Sequence, residues 1–484
     1  MSELVSEKNK ENMLPMGWRW AKIEDITDVI RGASPRPKGD PKYFGGNIPW
    51  IMIRDISREK GKFITQTKDH VTEAGAKKSR LLEKGSLILS NSGTVCVPKI
   101  LGVDGCIHDG FVAFPMLIEN IEILYAFYWF EYIRSKIIQE NKQGITQVNL
   151  NTSIVKNIDI PIPPLNEQKR IVTKIEELFS LLESTKEILE KTKILLKQYR
   201  SSILKSAFEG KLVPQVPNDE PASMLLEKIR WEQSNNQLMS KLVLENNNEL
   251  PIGWEWVKLS EIAIINPTKP HNVSDDLDVS FIPMKCVEEL TGKIDLNNIK
   301  KYNDVKKGFT SFLDDDIIFA KITPCMENGK IAIVKNLKNG IGFGSTEFHV
   351  IRMKNRDISE KLYFLYFVQD DFRNKAQRNM KGTAGQLRVP TDYLKELIIP
   401  LPPLKEQKRI VAKIEESFSL IHNSEKLVDS LLLQSNYMKN SILKQAFEGN
   451  LVPQDPNDEP AEILLEKIKQ EKQKIISQTK RGKK

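Results

Sequence analysis

Apolar residues recur alternately four and three positions apart along a segment that contains no Pro or Gly, from Asn166 to Glu209. This spacing gives a helix one apolar face and is typical of a coiled-coil seam. A matching segment follows in the second half, and each is preceded by two prolines and followed by one glycine: Pro163, Pro164 and Gly210, then Pro402, Pro403 and Gly449. The pattern predicts two antiparallel helices of roughly 65 Å, at 1.5 Å per residue. The predicted seams are Ile171, Ile175, Leu178, Leu182, Thr185, Leu189, Thr192, Leu196, Tyr199 and Ile203, and Ile410, Ile414, Ser417, Ile421, Ser424, Val428, Leu431, Ser435, Met438 and Ile442.

The chain is one unit written twice. LPMGWRWAKIEDI at Leu14 recurs as LPIGWEWVKLSEI at Leu250, and IPIPPLNEQKRIVTKIEELFSLL at Ile160 recurs as IPLPPLKEQKRIVAKIEESFSLI at Ile399. The blocks SILKSAFEGKLVPQVPNDEPA and SILKQAFEGNLVPQDPNDEPA follow the two predicted helices. The last helix would lead back into the first LPMGW if the ends met, so the sequence has the order of a ring that is cut once. Two equal halves predict approximate two-fold symmetry within one polypeptide.

Between the repeated blocks lie two stretches, 27–159 and 263–398, that mix strand-like runs with turns and a short aromatic helix. The strand-like runs include Ser86–Ser90, Ile317–Ala320 and His349–Met353, and the helices are predicted over Tyr125–Ile138 and Lys361–Ala376. The predicted fold class is therefore α+β, with two similar globular α/β domains separated by two long antiparallel coiled-coil helices in a pseudo-two-fold internal repeat. The predicted segments are a first globular domain 1–159, a central helical region 160–249, a second globular domain 250–398 and a C-terminal helical region 399–484.

Composition restricts the function without identifying it. The 484 residues carry 72 Lys and Arg against 64 Asp and Glu, and the net charge of +8 favours an anionic partner. No stretch reaches the roughly 18 apolar residues of a membrane span, and the first residues are too polar for a secretory signal. We therefore expect a cytoplasmic protein that does not contact a membrane. The four cysteines are far apart and form no CxxC pair, which favours reduced, buried thiols.

The sequence shows no constellation typical of an enzyme. It has no GxxxxGK[ST] loop, and the glycines of NGIGFGSTEF precede a strand-like run where a nucleotide-binding loop would open a helix. The five histidines have no HxxxH spacing. We therefore predict no catalytic residue and no metal site, and we expect a recognition or scaffold protein.

Several of these blocks resemble the specificity subunits of Type I restriction–modification enzymes. The resemblance is carried by the two PPL(N/K)EQKRIV blocks, the two FEG(K/N)LVPQ blocks and the two LP(M/I)GW starts, and it extends to three segments: Gly45–Ser57, Phe312–Val334 and Gly340–Arg352. It covers the whole chain in the expected order. The resemblance implies two target recognition domains, each reading one half of a split DNA site, joined by two long helices.

The resemblance also implies partners. A non-catalytic subunit of this kind binds double-stranded DNA and docks two DNA adenine methyltransferase (modification) subunits. With motor-nuclease (restriction) subunits added, it directs ATP-dependent cleavage. No cofactor is expected in this chain, because S-adenosylmethionine, ATP and Mg would be bound by the partner subunits.

A reader of this kind holds phosphates with Lys and Arg and reads base edges with Asn, Gln, Arg, Ser or Thr. The long helices would act as a ruler, so that their length would set the spacer between the half-sites. Candidates in the polar turns of the first domain are Arg36, Lys38, Arg54, Ser92, Thr94, Lys142, Gln143, Thr146, Gln147 and Asn149. Candidates in the second domain are Lys285, Lys321, Thr323, Lys330, Ser345, Thr346, Lys381, Thr383, Gln386 and Arg388.

The EQKR block is identical in both halves, although a seam would constrain every third or fourth position. The hypothesis is a repeated surface for a repeated methyltransferase subunit, formed by Glu167, Gln168, Lys169 and Arg170 and by Glu406, Gln407, Lys408 and Arg409. The alternative is that duplicated segments have not drifted apart. For the whole chain, three other functions stay open: a stand-alone DNA-binding protein or regulator, a structural coiled-coil adaptor, and a hidden nuclease or methyltransferase.

Overall fold

The structure, a computed structural model, describes residues 14–91, 95–115, 117, 121–140, 150–233, 249–383 and 385–481. The chain divides into two compact units. The first unit is Met1–Leu189 with Ser430–Lys484, and the second unit is Glu190–Asp429. Each unit therefore joins one predicted globular domain to parts of both predicted helical regions. The globular portions are called here the first and the second recognition domain.

As far as Phe208, the strands are β1 (Arg19–Lys22), β2 (Ile30–Arg31), β3 (Phe44–Ile51), β4 (Phe63–Ile64), β5 (Asp69–Val71), β6 (Arg80–Leu82), β7 (Leu87–Ser90), β8 (Pro98–Leu101), β9 (Gly105–Ile107), β10 (Phe111–Ala113) and β11 (Asp159–Ile162). The helices of this part are α1 (Ile23–Ile26), α2 (Ile53–Arg58), α3 (Glu73–Ala76), α4 (Ile123–Glu140), α5 (Thr152–Lys156) and α6 (Leu165–Phe208).

Beyond Phe208, the strands are β12 (Glu255–Lys258), β13 (Ala263–Ile265), β14 (Asp278–Ile282), β15 (Ile299–Lys301), β16 (Thr310–Leu313), β17 (Ile317–Ala320), β18 (Ile331–Ile333), β19 (Ile341–Gly344), β20 (Phe348–Met353) and β21 (Ile398–Leu401). The helices are α7 (Ala222–Gln233), α8 (Leu259–Ile262), α9 (Tyr302–Val305), α10 (Glu360–Val368), α11 (Asp370–Arg378), α12 (Thr391–Glu396), α13 (Leu404–Phe447) and α14 (Ala461–Arg481).

The two recognition domains share one topology. The first contains the sheets β2-β10-β7-β8-β4 and β5-β3-β9-β6, and the second contains β13-β20-β17-β18 and β15-β14-β19-β16. One parallel pair lies at the same place in each second sheet, β3 with β9 and β14 with β19. Strand β4 adds an edge to the first domain. The prediction of two similar α/β domains is confirmed.

The central strands β7 and β17 are buried along their whole length, because the sheet separates two apolar clusters. In β17, Ile317 and Phe319 pack into the cluster that also receives α10 and the start of α13. The alternate residues Ile318 and Ala320 pack into a second cluster on the other face. Side chains of a strand alternate between faces, so a strand covered on both faces reads as a continuous apolar run.

The aromatic helix of the first domain is confirmed as α4, whereas the single helix predicted over Lys361–Ala376 is wrong. The backbone leaves the helical region at Gln369, where φ is −60° and ψ is 141°, and this residue separates α10 from α11. Asp370 and Asp371 then occupy the first turn of α11. Acidic side chains stabilise the start of a helix, which favours a new helix at this point.

The long helices α6 and α13 are confirmed, with 44 residues each. Gly210 and Gly449 follow them in the left-handed region, at φ 66° and φ 73°. Within the second unit the helices run antiparallel, because Lys193 pairs with Asp429 at 2.7 Å while Arg200 pairs with the earlier Glu425 at 3.5 Å.

Burial of the predicted seam positions varies along both helices. Ile171, Leu182 and Val428 are buried, whereas Tyr199 is 58% and Met438 is 51% exposed. The two seams are therefore packed discontinuously. Small polar residues at several seam positions give the facing helix little apolar surface to bury: Thr185, Thr192, Ser417, Ser424 and Ser435.

Candidate nucleic-acid interface

Three loops of the second recognition domain are tied together by backbone hydrogen bonds at one edge. The loops follow β17, follow β19 and precede α12. The amide of Lys321 donates to the carbonyl of Glu347 at 2.9 Å, and the amide of Val389 donates to the carbonyl of Lys321 at 2.8 Å. The amide of Thr323 donates to the carbonyl of Leu387 at 3.0 Å. Residues 321–323, 345–347 and 381–389 therefore form one surface, although the sequence separates them widely.

This surface contains eight of the ten candidates of the second domain. Of these, Thr346, Lys381, Thr383 and Gln386 are exposed, whereas Lys321, Thr323, Ser345 and Arg388 are half-buried. Two of the half-buried hydroxyls have internal partners. Thr323 donates to Glu327 at 2.9 Å, and Ser345 accepts from the amide of Glu347 at 3.2 Å. The exposed four are the most accessible side chains of this surface.

Lys285 and Lys330 line an open groove of about 750 Å³ beside this surface. The groove also contains Lys293, and its acidic side chains are Glu288, Glu289 and Asp295. The Lys330 ammonium donates to the carbonyl of Met284 at 3.3 Å. Three cations against three carboxylates give the groove no net charge, so it has little general attraction for phosphates.

Arg388 forms a bidentate ion pair with Glu347, a residue that sequence reasoning missed. Its Nε and Nη2 donate to the two carboxylate oxygens at 2.9 Å each. The Arg388 guanidinium lowers the pKa of the Glu347 carboxyl, and the carboxylate raises the pKa of Arg388. Glu347 lies in the polar turn after β19, and this position is the feature of the sequence that could have identified it as a candidate.

The first recognition domain has the same backbone frame at the equivalent edge. The amide of Asn91 donates to the carbonyl of Gly110 at 2.8 Å, and the amide of Leu150 donates to the carbonyl of Asn91 at 3.2 Å. The candidates that belong to these loops lie outside the described residues: Ser92, Thr94, Lys142, Gln143, Thr146, Gln147 and Asn149.

Arg36 and Lys38 are exposed, and with Arg31 they act electrostatically on His108. Burial is the main cause that lowers the pKa of His108, Asp109 opposes the shift, and the three cations add to it. The ring Nε2 lies 2.9 Å from an Asp109 oxygen. Cations from the end of β2 and from the loop after it therefore act on the loop after β9, which corresponds to the loop after β19.

Sequence reasoning missed Arg31, His108 and Asp109, because charge alone does not show which loops a sheet brings together. The hydroxyl of Ser34 donates to Asp109 at 3.0 Å, and Arg31 donates to the Asp109 carbonyl at 3.0 Å. Arg54, by contrast, forms an ion pair with Asp69, which neutralises part of the charge that was expected to meet DNA.

The EQKR block is explained mainly by contacts within the chain. Glu167 and Gln168 are 1% and 0% exposed, and Glu406 and Gln407 have the same values. Buried side chains form no docking surface, so the predicted partner contact is wrong for these four residues. The sequence could not distinguish contacts within the chain from a docking surface, because either role would keep the EQKR block identical in the two halves.

The carboxylate of Glu167 accepts hydrogen bonds from a buried tryptophan and an exposed glutamine in a cluster called here the first joint: Trp18, Glu167, Arg170, Gln454 and Asp458. Trp18 Nε1 donates to one oxygen at 3.1 Å and Gln454 Nε2 to the other at 3.3 Å. Arg170 pairs with Asp458 at 2.7 Å. Burial raises the pKa of Glu167, and the two hydrogen bonds oppose the shift.

The second joint repeats this chemistry with Trp254, Glu406, Arg409, Gln215 and Asp219. Trp254 Nε1 donates to Glu406 at 3.0 Å, Gln215 Nε2 donates at 2.8 Å, and Arg409 pairs with Asp219 at 2.5 Å. Burial likewise raises the pKa of Glu406. A carboxylate is required at both places, because an amide would turn its own N–H groups toward a donor.

Gln168 and Gln407, at the starts of the long helices, form hydrogen bonds to the first and the second recognition domain, respectively. Gln168 accepts from the amide of Glu122 at 3.0 Å and donates to the Pro163 carbonyl at 3.0 Å. Gln407 accepts from the amide of Ser359 at 3.0 Å and donates to the Pro402 carbonyl at 2.9 Å. Of the predicted partner surface, Lys169 and Lys408 are exposed, and the paired Arg170 and Arg409 are half-buried.

Within the described ranges, no group of three or more His, Cys, Asp or Glu side chains could hold a metal ion. No helix in that part of the chain is long and apolar enough to cross a membrane. The four cysteines are unpaired thiols, as predicted, and burial raises the pKa of Cys96 to about 12.

Comparison with known proteins identifies relatives for both halves. A family described as the Type I restriction modification DNA specificity domain matches residues 15–193 and 251–431. The specificity subunit of the Type I restriction enzyme EcoAI from Escherichia coli is 40% identical over 337 residues, which are 59% of this chain and 57% of that subunit. The EcoKI specificity subunit from Escherichia coli strain K12 is 26% identical over 479 residues, 95% of this chain and 96% of that subunit.

The EcoEI specificity subunit from Escherichia coli is 37% identical over 59% of this chain and 56% of that subunit. The chain therefore spans somewhat more than half the length of the EcoAI and EcoEI subunits. The crystal structure of the HsdS subunit from Thermoanaerobacter tengcongensis superposes with a TM-score of 0.58 at 19% identity, over 90% of this chain and 98% of that chain. This likeness shows the fold. Because the two matched segments cover most of the sequence, the chain belongs to the family of Type I restriction–modification DNA specificity subunits.

Proposed function

We propose that this chain is the DNA-recognition subunit of a Type I restriction–modification complex. Each recognition domain reads one half of a bipartite site in double-stranded DNA, and the two long helices set the spacing of the half-sites. The observation that supports this proposal best is the pair of equivalent loop edges. They share one backbone frame, yet they differ in the side chains that the frame presents, as two readers of different half-sites would.

The chain itself contributes recognition rather than chemistry. Two methyltransferase subunits dock on its repeated helical regions, and S-adenosylmethionine, ATP and Mg are bound by these subunits and by the motor-nuclease subunits. The duplicated joints support two copies of one partner, because an equivalent exposed lysine, Lys169 or Lys408, lies beside each joint near the start of a long helix.

Genome-wide adenine methylation tests the proposal. Single-molecule sequencing compares the strain that carries this gene with its deletion strain and with the complemented deletion strain. We expect a split motif, two short half-sites around a fixed gap, to lose its methyl groups on deletion and regain them on complementation. If no split motif changes while the neighbouring methyltransferase is expressed, the proposal is wrong. Tight, salt-dependent binding by the purified chain alone would then indicate a stand-alone DNA-binding protein.

A further inference from the structure

Arg388 has the most restrained side chain among the exposed or half-buried candidates of the described loops. Its backbone is fixed first. Arg388 and Lys381 exchange two amide-to-carbonyl hydrogen bonds of 2.9 Å, which close the GTAGQ loop. The neighbours Leu387 and Val389 are bonded to Thr323 and Lys321. The base of the side chain is therefore held by two other segments of the domain.

The guanidinium is then fixed by three hydrogen bonds. Nε and Nη2 donate to the Glu347 carboxylate, and Nη1 donates to the carbonyl of Gln386 at 2.9 Å. A guanidinium has five N–H donors, so one hydrogen on Nη1 and one on Nη2 are left without a described partner. The side chain is 39% exposed. Two oriented donors therefore lie at the surface, and ordering them costs no further rotamer entropy on binding.

The donor pair selects a particular base. Guanine presents two adjacent acceptors, N7 and O6, in the major groove, whereas adenine, thymine and cytosine each present at most one acceptor there. We propose that Arg388, oriented by Glu347, reads a guanine in the half-site contacted by the second recognition domain. This inference rests on the proposed function and assigns one specificity-determining residue and one positioning residue within it.

Within its described residues, the first recognition domain has no such pair at the equivalent place. The backbone bonds of Lys321 to Glu347 and Val389 correspond to those of Asn91 to Gly110 and Leu150. Gly110 occupies the position of Glu347, and the neighbouring carboxylate of Asp109 contacts Ser34 and His108 instead of an arginine side chain. The pair is therefore a property of one half of the repeat, as a base-specific contact within one half-site must be.

A second bidentate pair in the same domain shows what a structural ion pair looks like. Arg352 donates through Nε and Nη2 to Asp316 at 2.7 Å each, and the Asp316 side chain is 1% exposed. The Glu347 side chain is 26% exposed. An ion pair at the surface contributes little to stability, so stability does not explain the Arg388 pair well.

The test determines the methylated motif with the full chain and its methyltransferase partner in cells. The variants are Arg388→Ala, Arg388→Lys and Glu347→Gln, and the control is Lys301→Ala, which removes a cation paired with Asp278 in the same domain. We expect Arg388→Ala to lower discrimination at one G·C pair of one half-site by about 5- to 150-fold. Arg388→Lys should retain little of this discrimination, because an ammonium lacks the two parallel N–H donors of a guanidinium. Glu347→Gln should lower discrimination at the same base pair by a smaller factor. The other half-site and the control keep the wild-type motif.

Three results would overturn the inference. One is a wild-type half-site for this domain that contains no G·C pair. Another is an unchanged motif with uniformly weaker methylation in the Arg388 variants, which indicates a phosphate contact. The third is a Lys301→Ala variant that relaxes the same base pair. If Arg388→Ala abolishes folding, Glu347→Gln and Arg388→Lys decide. The absence of a split motif for the wild type would instead refute the proposed function.

Discussion

The two joints contain the same bonds but are assembled from differently connected segments. In the second joint, the chain runs from Gln215 and Asp219 through α7 to Trp254 within one stretch of sequence. In the first joint, Gln454 and Asp458 come from the last part of the sequence and Trp18 from its beginning. The Trp-to-Glu hydrogen bonds nevertheless measure 3.1 and 3.0 Å.

The backbone contacts of the joints agree as well. The amide of Ala461 donates to the Gly17 carbonyl at 2.9 Å, and the amide of Ala222 donates to the Gly253 carbonyl at 2.8 Å. Side-chain and backbone bonds therefore suffice to hold the first joint in this arrangement. In the second joint, the continuous chain supports the same arrangement. The first joint therefore depends on its hydrogen bonds more than the second does, because connectivity limits the entropy gained when a joint opens.

Removing the buried carboxylates should have the largest effect. Glu167→Ala and Glu406→Ala each leave the N–H group of a buried tryptophan unpaired and remove the hydrogen bond from an exposed glutamine. We expect each change to cost about 2 to 4 kcal/mol of unfolding free energy in its own unit. The first joint should open more, because its segments are not joined nearby. Hydrogen exchange of residues 450–461 and of residues 211–222 measures the opening of the two joints.

The matched controls are Glu177→Ala and Glu416→Ala, which remove exposed carboxylates at equivalent positions of the same helices. These control variants should leave the hydrogen exchange of residues 450–461 and of residues 211–222 unchanged. If residues 450–461 in Glu167→Ala and residues 211–222 in Glu406→Ala are equally protected from hydrogen exchange, chain connectivity does not affect how readily a joint opens.

The helix-terminating glycines come next in size. Gly449 and Gly210 have positive φ, and a Cβ at either position would overlap a proline ring, Pro15 or Pro251. We expect Gly449→Ala and Gly210→Ala to cost about 1 to 3 kcal/mol, from left-handed strain and displacement of the ring. Denaturant unfolding measures both. Gly61→Ala is the control, because nothing lies within 4 Å of its Cβ position.

Most of the architecture could be predicted from the sequence, because it depends on patterns that a sequence displays directly. The internal repeat predicted the paired domains, and the period of apolar residues predicted α6 and α13. The break at Gln369 could not be predicted in this way, since the apolar and aromatic positions continue across it. The discontinuous packing of the seams was also missed, because spacing identifies positions and does not report how much apolar surface Thr and Ser contribute.

The site was less accessible to sequence reasoning. The loops around Arg388 were chosen by their polar composition, yet Glu347 was missed because its pairing depends on a sheet that joins residues distant in sequence. Glu167 and Glu406 were assigned to a partner surface, because identity between repeats does not distinguish a buried hydrogen bond from an exposed contact. Side-chain direction and burial decided these cases, and both arise from tertiary packing.

The Arg170–Asp458 ion pair of the first joint should have a smaller and pH-dependent effect. The hydrogen bond from Arg170 lowers the pKa of Asp458 below its usual 3.8. A lowered pKa means that the pair stabilises the fold above about pH 3.8 and that this contribution disappears as pH falls through the folded pKa. We expect Asp458→Asn to cost about 1 kcal/mol at pH 7 and progressively less in acid.

Urea unfolding of wild type and variant from pH 7 downward tests this sign. Asp219→Asn removes the equivalent pair with Arg409 in the second joint and is the comparison variant. A cost of Asp458→Asn that grows in acid would contradict the assignment of this pKa shift to the ion pair.

The smallest effect is expected when the connectivity of the two joints is exchanged. A permuted chain would join Arg481 to Leu14 through a flexible linker and begin within residues 234–248, so that the first joint becomes continuous and the second discontinuous. Since both joints keep every described bond, the unfolding free energy should change by less than about 1 kcal/mol, the scale of a change in loop length. The methylated motif should stay the same. Hydrogen exchange should show the reverse order of protection, with residues 211–222 now opening more readily than residues 450–461. Retention of the original order would mean that the joints differ in their packing, and that connectivity is not the cause.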